Sequence, residues 1–252
     1  MRRLKVTLEY DGTHFAGFQK QSGTNQRTVQ GVLEDALARL TGEETPVTGA
    51  GRTDSGVHAL GQVVHFETSS PIPVERFSKA LNGHLPPDIA ALGADLVDAS
   101  FHARYSALGK KYCYLVFNSR KPLALWRNHC YRFPVPLDLV AIKESAKILT
   151  GEHDFRAFSA TGSSVKSTVR HLFILDAEQR GEWIKFTAIG NGFLYKMMRL
   201  IVGTLLEVGS GKLSPAQVKQ ILEKGERGQG GSAVPPQGLY LVQVFYHEGD
   251  FP

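Results

Sequence analysis

Two periodicities alternate along this chain, and together they leave few folds open to it. RLKVTLEY at 3–10 places Leu4, Val6 and Leu8 on one face and reads as a strand ending at Asp11-Gly12. Thr28 then caps a helix whose apolar stripe is Val29, Val32, Leu33, Ala36, Leu37 and Leu40, and Gly42 closes it. GQVVHFET at 61–68 returns to the strand period. Val74, Phe77 and Leu81 predict a short helix after Pro73, stopped by Pro86-Pro87, and AALGADLV at 90–97 predicts a third strand. The second half repeats the theme. KKYCYLVF at 110–117 is a strand, a helix covers 138–150 and ends at Gly151, and 168–179 with 182–190 form a hairpin turning near Arg180-Gly181. Phe193, Met197, Leu200, Ile201, Thr204, Leu205 and Val208 fall at helical spacing, Ser214-Pro215-x-Gln217 opens another helix with a capping-box pattern, and LYLVQVFY at 239–246 is a last strand. Strands and helices mixed with hairpins predict an α+β fold in two domains with mainly antiparallel sheets, at 1–105 and 106–252. The composition of GERGQGGSAVPPQG at 225–238 suggests a mobile loop.

Composition limits the function classes. Apolar residues make up 42% of the 252, enough for a proper core, and charged residues 21%, as in a soluble globular protein. The sequence has no apolar run of 18 or more, so no membrane span is expected, and MRRLKVTLEYDG lacks the apolar stretch of a signal peptide. Cys113 and Cys130 are the only cysteines and do not form a Cys-x-x-Cys pair, which suits a reducing cytoplasm and no disulfide framework. The net charge is +5 and the pI about 9.2. Its distribution says more than its size. From Ala99 to Leu137 there is no Asp or Glu, yet that stretch holds Arg104, Lys110, Lys111, Arg120, Lys121, Arg127 and Arg132 among eight aromatic residues. Basic side chains interleaved with aromatics suit phosphates and unstacked bases, and they equally suit a solvated face over a buried core.

One loop concentrates the chemistry. GAGRTDSGVHALG at 49–61 sets a lone acid, Asp54, among four glycines. It fails the dinucleotide fingerprint, because Asp54 takes the place of the third glycine, and it fails the P-loop, because Val57-His58 replace the lysine and hydroxyl. Asp54-Ser55-Gly56 matches an aspartic-protease triplet, but no second such triplet exists to share a proton. A lone aspartate in such a loop also simply organises a turn. His58 and His65 come without a ligand set, so no metal site is expected.

GRTDSGVHALGQVVHF at 51–66 resembles the signature of the tRNA pseudouridine synthase A family. EYDGTHFAGFQ at 9–19 resembles the family's N-terminal segment, with Phe18 where tryptophan is common, and TVQGVLEDAL at 28–37 its first helix. FHARYSA at 101–107, KKYCY at 110–114, NGFLYKMMRLIVGTLLEVG at 191–209 and GLYLVQVFY at 238–246 are similar to the rest, in order and over nearly the whole chain. The resemblance implies the pseudouridine synthase fold, with ferredoxin-like or RNP-like halves and a catalytic cleft between them. It implies a cofactor-free homodimer that isomerises uridine to pseudouridine at positions 38, 39 and 40 of the tRNA anticodon stem-loop.

It also implies roles for particular residues. Asp54 is the nucleophile, and the flanking glycines let the backbone approach a ribose and phosphate. Arg52 helps displace the target base, Tyr112 stacks on the uracil and helps remove the C5 proton, and Arg199 keeps the carboxylate ionised and oriented. Leu239, with Tyr240, walls the base pocket, or is ordinary strand packing. Arg104, Lys110, Lys111, Arg120, Lys121 and Arg127 are expected to contact RNA phosphates. Two other readings stay open at this stage: the same chemistry on another RNA site, and a non-catalytic RNA-binding protein or chaperone.

Overall fold

The alternating segments form strands where the period-2 pattern puts them. In the computed structural model, which describes residues 1–21, 23–162 and 165–251, β1 runs Arg2–Tyr10, β3 His58–Thr68 and β4 Ile89–Val97. β1 is antiparallel to both β3 and β4, with Leu4 opposite Phe66 and Val6 opposite Val64, so the apolar residues of the two strands share one face. α2 (Val74–Asn82) packs on β4 and brings the Phe77 ring to within 5.8 Å of that of Phe66, and α1 (Val29–Thr41) packs on α2; they bury Phe77 and Leu81, and Val29, Leu33, Ala36 and Leu37. Thr28 accepts a hydrogen bond from the Gly31 amide and Gly42 ends α1 in the left-handed conformation, as the sequence predicts. β2 (Thr48–Gly49) is a two-residue addition to β3, too short to show a period.

The chain divides into two units: Met1–Leu108 joined by the residues from Tyr240 onward, and Gly109–Leu239. The first unit carries β4–β1–β3 and then the last strand, β10 (Leu239–Phe245), whose Tyr240 and Leu241 pair in parallel with His58 and Ala59. The division thus falls at Leu108/Gly109, and all of β10 but Leu239 clusters with the N-terminal sequence.

In the second unit, β5 (Gly109–Phe117), β9 (Trp183–Gly190), β8 (Val169–Arg180) and β7 (Gly151–Asp154) are antiparallel neighbours in that order, with β6 (Tyr131–Arg132) beside β5. α3 (Leu139–Leu149) packs on β8, on α4 (Met197–Gly209) and on α5 (Pro215–Lys224). The predicted capping box at Ser214 is present in both directions. Three details differ from the sequence reading. α4 starts at Met197, because Lys196 takes a left-handed φ of 59°, so Phe193 lies outside the helix. Gly151 does not simply end α3 but opens the short strand β7. The second half of 225–238 is fixed despite its composition: the Gly231 amide donates to Thr204 Oγ1 at 2.9 Å, and the Val234 amide to the Arg199 carbonyl at 3.2 Å.

Both units are α+β with mainly antiparallel strands. Among the described residues no helix is long and apolar enough to cross a membrane.

Candidate active site

The Asp54 loop is held from several sides. At its entry, the Ala50 amide donates to the Val63 carbonyl at 2.7 Å and Gln62 Nε2 to the Gly51 carbonyl at 2.9 Å. The Tyr10 hydroxyl meets Thr53 Oγ1 at 2.8 Å, next to the half-buried Asp54. Burial pushes the Tyr10 phenol up to about 12, against the pull of its hydrogen bonds to Thr53 and Gln62, so it remains protonated at neutral pH. At the exit, the Val57 amide closes a turn onto the Asp54 carbonyl at 3.1 Å.

The segment 11–18 forms the other wall. The Phe18 amide donates to the Thr53 carbonyl at 3.1 Å, and the Phe15 carbonyl accepts from Ser55 Oγ at 3.1 Å and from the Gly56 amide at 3.3 Å. These are backbone-to-backbone approaches, and two glycines permit them. A Cβ on Gly12 would sit 2.0 Å from the Val57 carbonyl oxygen. Gly17 has a φ of +97°, and a Cβ there would sit 2.8 Å from the Thr53 carbonyl oxygen. The segment is itself tied down. The Ala16 amide donates to the Arg27 carbonyl at 2.8 Å, and the Arg27 guanidinium lies 4.0 Å over the Phe15 ring while reaching both oxygens of Asp88 at 2.7 and 2.8 Å. The Arg27 hydrogen bond holds the Asp88 carboxyl below its ordinary range, despite partial desolvation. His58, four residues after Asp54, is buried, accepts from the Gly12 amide through Nδ1 at 3.0 Å and stacks on Tyr240 with ring centroids 4.7 Å apart.

Two of the loop's four glycines have a structural reason of their own. A Cβ on Gly49 would strike the Phe18 ring at 2.5 Å, and Gly56 takes a φ of 76° in the turn after Asp54. Internal packing at Gly49 and turn geometry at Gly56 therefore favour glycine there with no substrate involved.

The other nominated residues divide between the units. Arg52 is exposed in the first unit, and its Nε donates to Gln19 Oε1 at 3.1 Å. Arg104 is exposed in the same unit. In the second unit Tyr112 is buried on β5, its ring at an angle of 69° to Phe193 with centroids 4.8 Å apart. Arg199, in the first turn of α4, donates from Nε to the Val234 carbonyl at 2.7 Å. Tyr114, two residues along β5 and fully buried, donates to the Pro235 carbonyl at 2.7 Å, so 234–235 are gripped twice just before the buried Leu239. Burial raises the Tyr114 phenol well above its ordinary value, opposed by the charge of Arg199. Lys110 shares the Tyr112 face of β5 and Lys111 points the other way. Lys121 is ion-paired with Glu182 at 3.3 Å, Arg127 donates to the Ala124 carbonyl at 2.8 Å, and Arg120 is exposed. Sequence reasoning gave no role to Tyr10, Gln62 and Arg27. Nothing in their local pattern marks them: Tyr10 and Arg27 act from a distant part of the chain, and Gln62 reaches back across the loop from the strand that follows it. Gly12 and Gly17 were the visible signal.

A family model described as tRNA pseudouridine synthase matches residues 7–106 and 145–247. The chain belongs to that family. It is 48% identical over 246 residues to a tRNA pseudouridine synthase A of Acetivibrio thermocellus, covering 98% of this chain and 100% of that one. It is 46% identical over 246 residues to the tRNA pseudouridine synthase A 2 of Clostridium perfringens, with the same coverage. Among solved structures, a Cbf5–Nop10–Gar1 complex gives a TM-score of 0.38 at 12% identity, over 94% of this chain and 57% of that one. Membership makes the chain an isomerase of tRNA uridine, and the Asp54 loop lies within the first matched segment.

Proposed function

We propose that the chain converts uridine to pseudouridine at positions 38, 39 and 40 of the tRNA anticodon stem-loop, in the cytoplasm, as a cofactor-free homodimer with Asp54 as nucleophile. The observation that carries the assignment to Asp54 is the clamped loop. A half-buried carboxylate stands in a loop fixed by hydrogen bonds between Tyr10 and the Thr53 hydroxyl, from Gln62 and Phe18 to the Gly51 and Thr53 carbonyls, and from Ser55 to the Phe15 carbonyl. Such preorganisation is what an attacking group needs, because misplacement by an ångström costs rate steeply.

The reaction is balanced within the substrate. The bond from N1 to C1′ breaks, the uracil turns, C5 bonds to C1′ and loses its proton, and N1 takes up a proton, so the sum is an isomerisation. A carboxylate can attack C1′ or C6, or assist a glycal path, and each route uses Asp54 as the covalent or basic group. The roles implied by resemblance complete the reading: Arg52 displaces the base, Tyr112 stacks on the uracil and assists C5 deprotonation, Arg199 orients the carboxylate, and Leu239 lines the pocket. Arg104, Lys110, Lys111, Arg120, Lys121 and Arg127 serve phosphate binding.

The test is Asp54→Asn, which keeps the size and removes the negative charge. Incubated with unmodified tRNA transcripts and mapped by site, the parent should form pseudouridine at 38–40 without added metal or nucleotide. The variant should form none while binding tRNA near normally. Turnover by the purified variant would refute the nucleophile, and pseudouridine mapped elsewhere would refute the site. Sedimentation at about the 27.7 kDa of one chain, with full activity, would refute the dimer.

A further inference from the structure

The turn at 101–106 in the first unit is built more firmly than its surface position requires. The Arg104 and Tyr105 amides donate to His102 Nδ1 at 3.1 and 3.3 Å. The His102 amide donates to Ser106 Oγ at 3.0 Å, and the Ser106 amide returns to the His102 carbonyl at 2.9 Å. Ala103 is fastened on both sides: its amide donates to His65 Nδ1 at 3.1 Å and its carbonyl accepts from the Tyr246 hydroxyl at 2.7 Å. Arg3 Nη1 donates to the Phe101 carbonyl at 2.9 Å.

All this fixes one side chain that lies in water. Tyr105 is 76% exposed. Its ring leans on His102, with centroids 4.3 Å apart and planes 34° apart, and His102 in turn lies 4.8 Å from the buried His65. Three aromatic rings therefore form a tilted ladder from the core to the surface, the two imidazole planes 56° apart, with Tyr105 as its last rung. Over that ring stands the exposed Arg104, its guanidinium carbon 5.7 Å from the Tyr105 centroid. The turn opens the stretch that lacks Asp and Glu from 99 to 137. The acids just outside it are engaged: Asp98 accepts from the Ser100 amide at 2.8 Å, and Glu67 pairs with Arg3 at 2.6 Å.

We infer that Tyr105 is a stacking platform for an unpaired base of the RNA, other than the uridine that reacts, and that Arg104 holds a phosphate beside that base. This rests on the reading that the chain binds tRNA. A base laid on the outer face of Tyr105 continues the ladder, and it replaces the Arg104 contact as the guanidinium turns to the phosphate. The turn's hydrogen bonds fix the backbone under the ring in advance, so less ordering remains to be done on binding. Stacking uses a face that every base has, so the contact positions the RNA without reading its sequence.

The experiment is equilibrium binding of an unmodified tRNA transcript to the full chain, with turnover at saturating tRNA and sedimentation recorded alongside. Tyr105→Ala should weaken binding roughly 5- to 150-fold, with an unchanged slope of log affinity against log salt and an unchanged saturated rate. Tyr105→Trp should restore affinity and Tyr105→Leu should not, because leucine has area without a π face. Arg104→Gln should lower the salt slope by roughly 0.7 to 0.9. Parental affinity in Tyr105→Ala, in a preparation that forms pseudouridine, would overturn this inference alone. Rescue by Tyr105→Leu, or a changed sedimentation mass in Tyr105→Ala, would assign the ring to a general apolar contact or to a second copy of the chain, and would overturn it too. A parent that binds no tRNA would overturn the functional reading and this inference with it.

Discussion

Replacing Gly12 by alanine adds one methyl group, and its consequences can be worked out from distances. The new Cβ would lie 2.0 Å from the Val57 carbonyl oxygen, 2.5 Å from its carbon and 3.0 Å from its nitrogen. An ordinary C···O contact is roughly 3.3 Å, so the two backbones must separate by about 1.3 Å. No side chain can give way, because all three atoms are main chain. Gly12 is not among the residues with positive φ, so the alanine is not strained by its own conformation and the effect is steric. Val57 is tied by its amide to the Asp54 carbonyl, so its displacement reaches the carboxylate. A shift of this size at an attacking group costs on the order of 100-fold in rate. Overpacking costs about 1–3 kcal/mol, or roughly 2–12 °C in melting temperature at about 2–4 °C per kcal/mol. The assay is single-turnover pseudouridine formation with tRNA affinity and a thermal melt on the same preparation. The rate should fall about 100-fold and the melt should drop, while affinity changes little. Gly17→Ala should be worse in the melt, since its φ of +97° adds backbone strain. A Gly12→Ala protein with parental rate and melting temperature would refute the argument that the 11–18 backbone positions the loop.

Two further outcomes follow from buried groups. Tyr114→Phe leaves the Pro235 carbonyl without its donor and should cost about 1–3 kcal/mol in chemical denaturation; unchanged stability would show that this hydrogen bond does not hold 234–235 against β5. Burial, with the charges of His102 and Arg3, lowers the His65 pKa, and Glu67 opposes them. The unfolded chain therefore takes up this proton at a higher pH than the folded one, so stability is fully present above about pH 6.5 and is lost as pH falls through the folded value. His65→Gln, measured by urea denaturation from pH 8 to 5, should flatten part of that decline, and an identical slope would remove His65 as a contributor.

The long elements were legible because each carries its own period. Leu4, Val6 and Leu8 alternate, Val29, Leu33, Ala36 and Leu37 repeat at helical spacing, and both patterns were realised with their caps. What escaped was non-local or too short to have a period. Two-residue strands such as β2 and β6 exist only through pairing. The start of α4 was misread because Phe193, Met197 and Leu200 share a spacing across the left-handed Lys196, which no pattern of apolar residues marks. The Asp54 loop was visible as a motif, but its supports were not. Tyr10 and Thr53 are 43 residues apart, and Arg27 and Asp88 are 61 apart. Composition also misled at 225–238, where glycines and prolines read as freedom and the structure uses 231–235 to pack against α4 and Tyr114.

The basic stretch shows a related limit, and it bears on how RNA binding should be counted. Sequence gives a sum of charges, but a phosphate contact needs a cation that is both accessible and uncommitted in direction. Lys110 and Lys111 are adjacent in sequence and lie on opposite faces of β5, so a single phosphate backbone running over either face meets one of them. Lys121 reaches Glu182, whose carboxyl the Ser119 hydroxyl and then the lysine hold below the ordinary range. Arg132 spends Nη1 on the Arg120 carbonyl at 3.1 Å, and Arg127 bonds within its own turn. Exposed pairs of this kind are weak and can exchange for phosphate, but each exchange leaves a carboxylate or carbonyl to be resolvated. On the proposed RNA contact, the salt slope assigned to 99–137 should therefore be smaller than its nominal charge, and stacking on Tyr105 would add affinity that does not scale with salt.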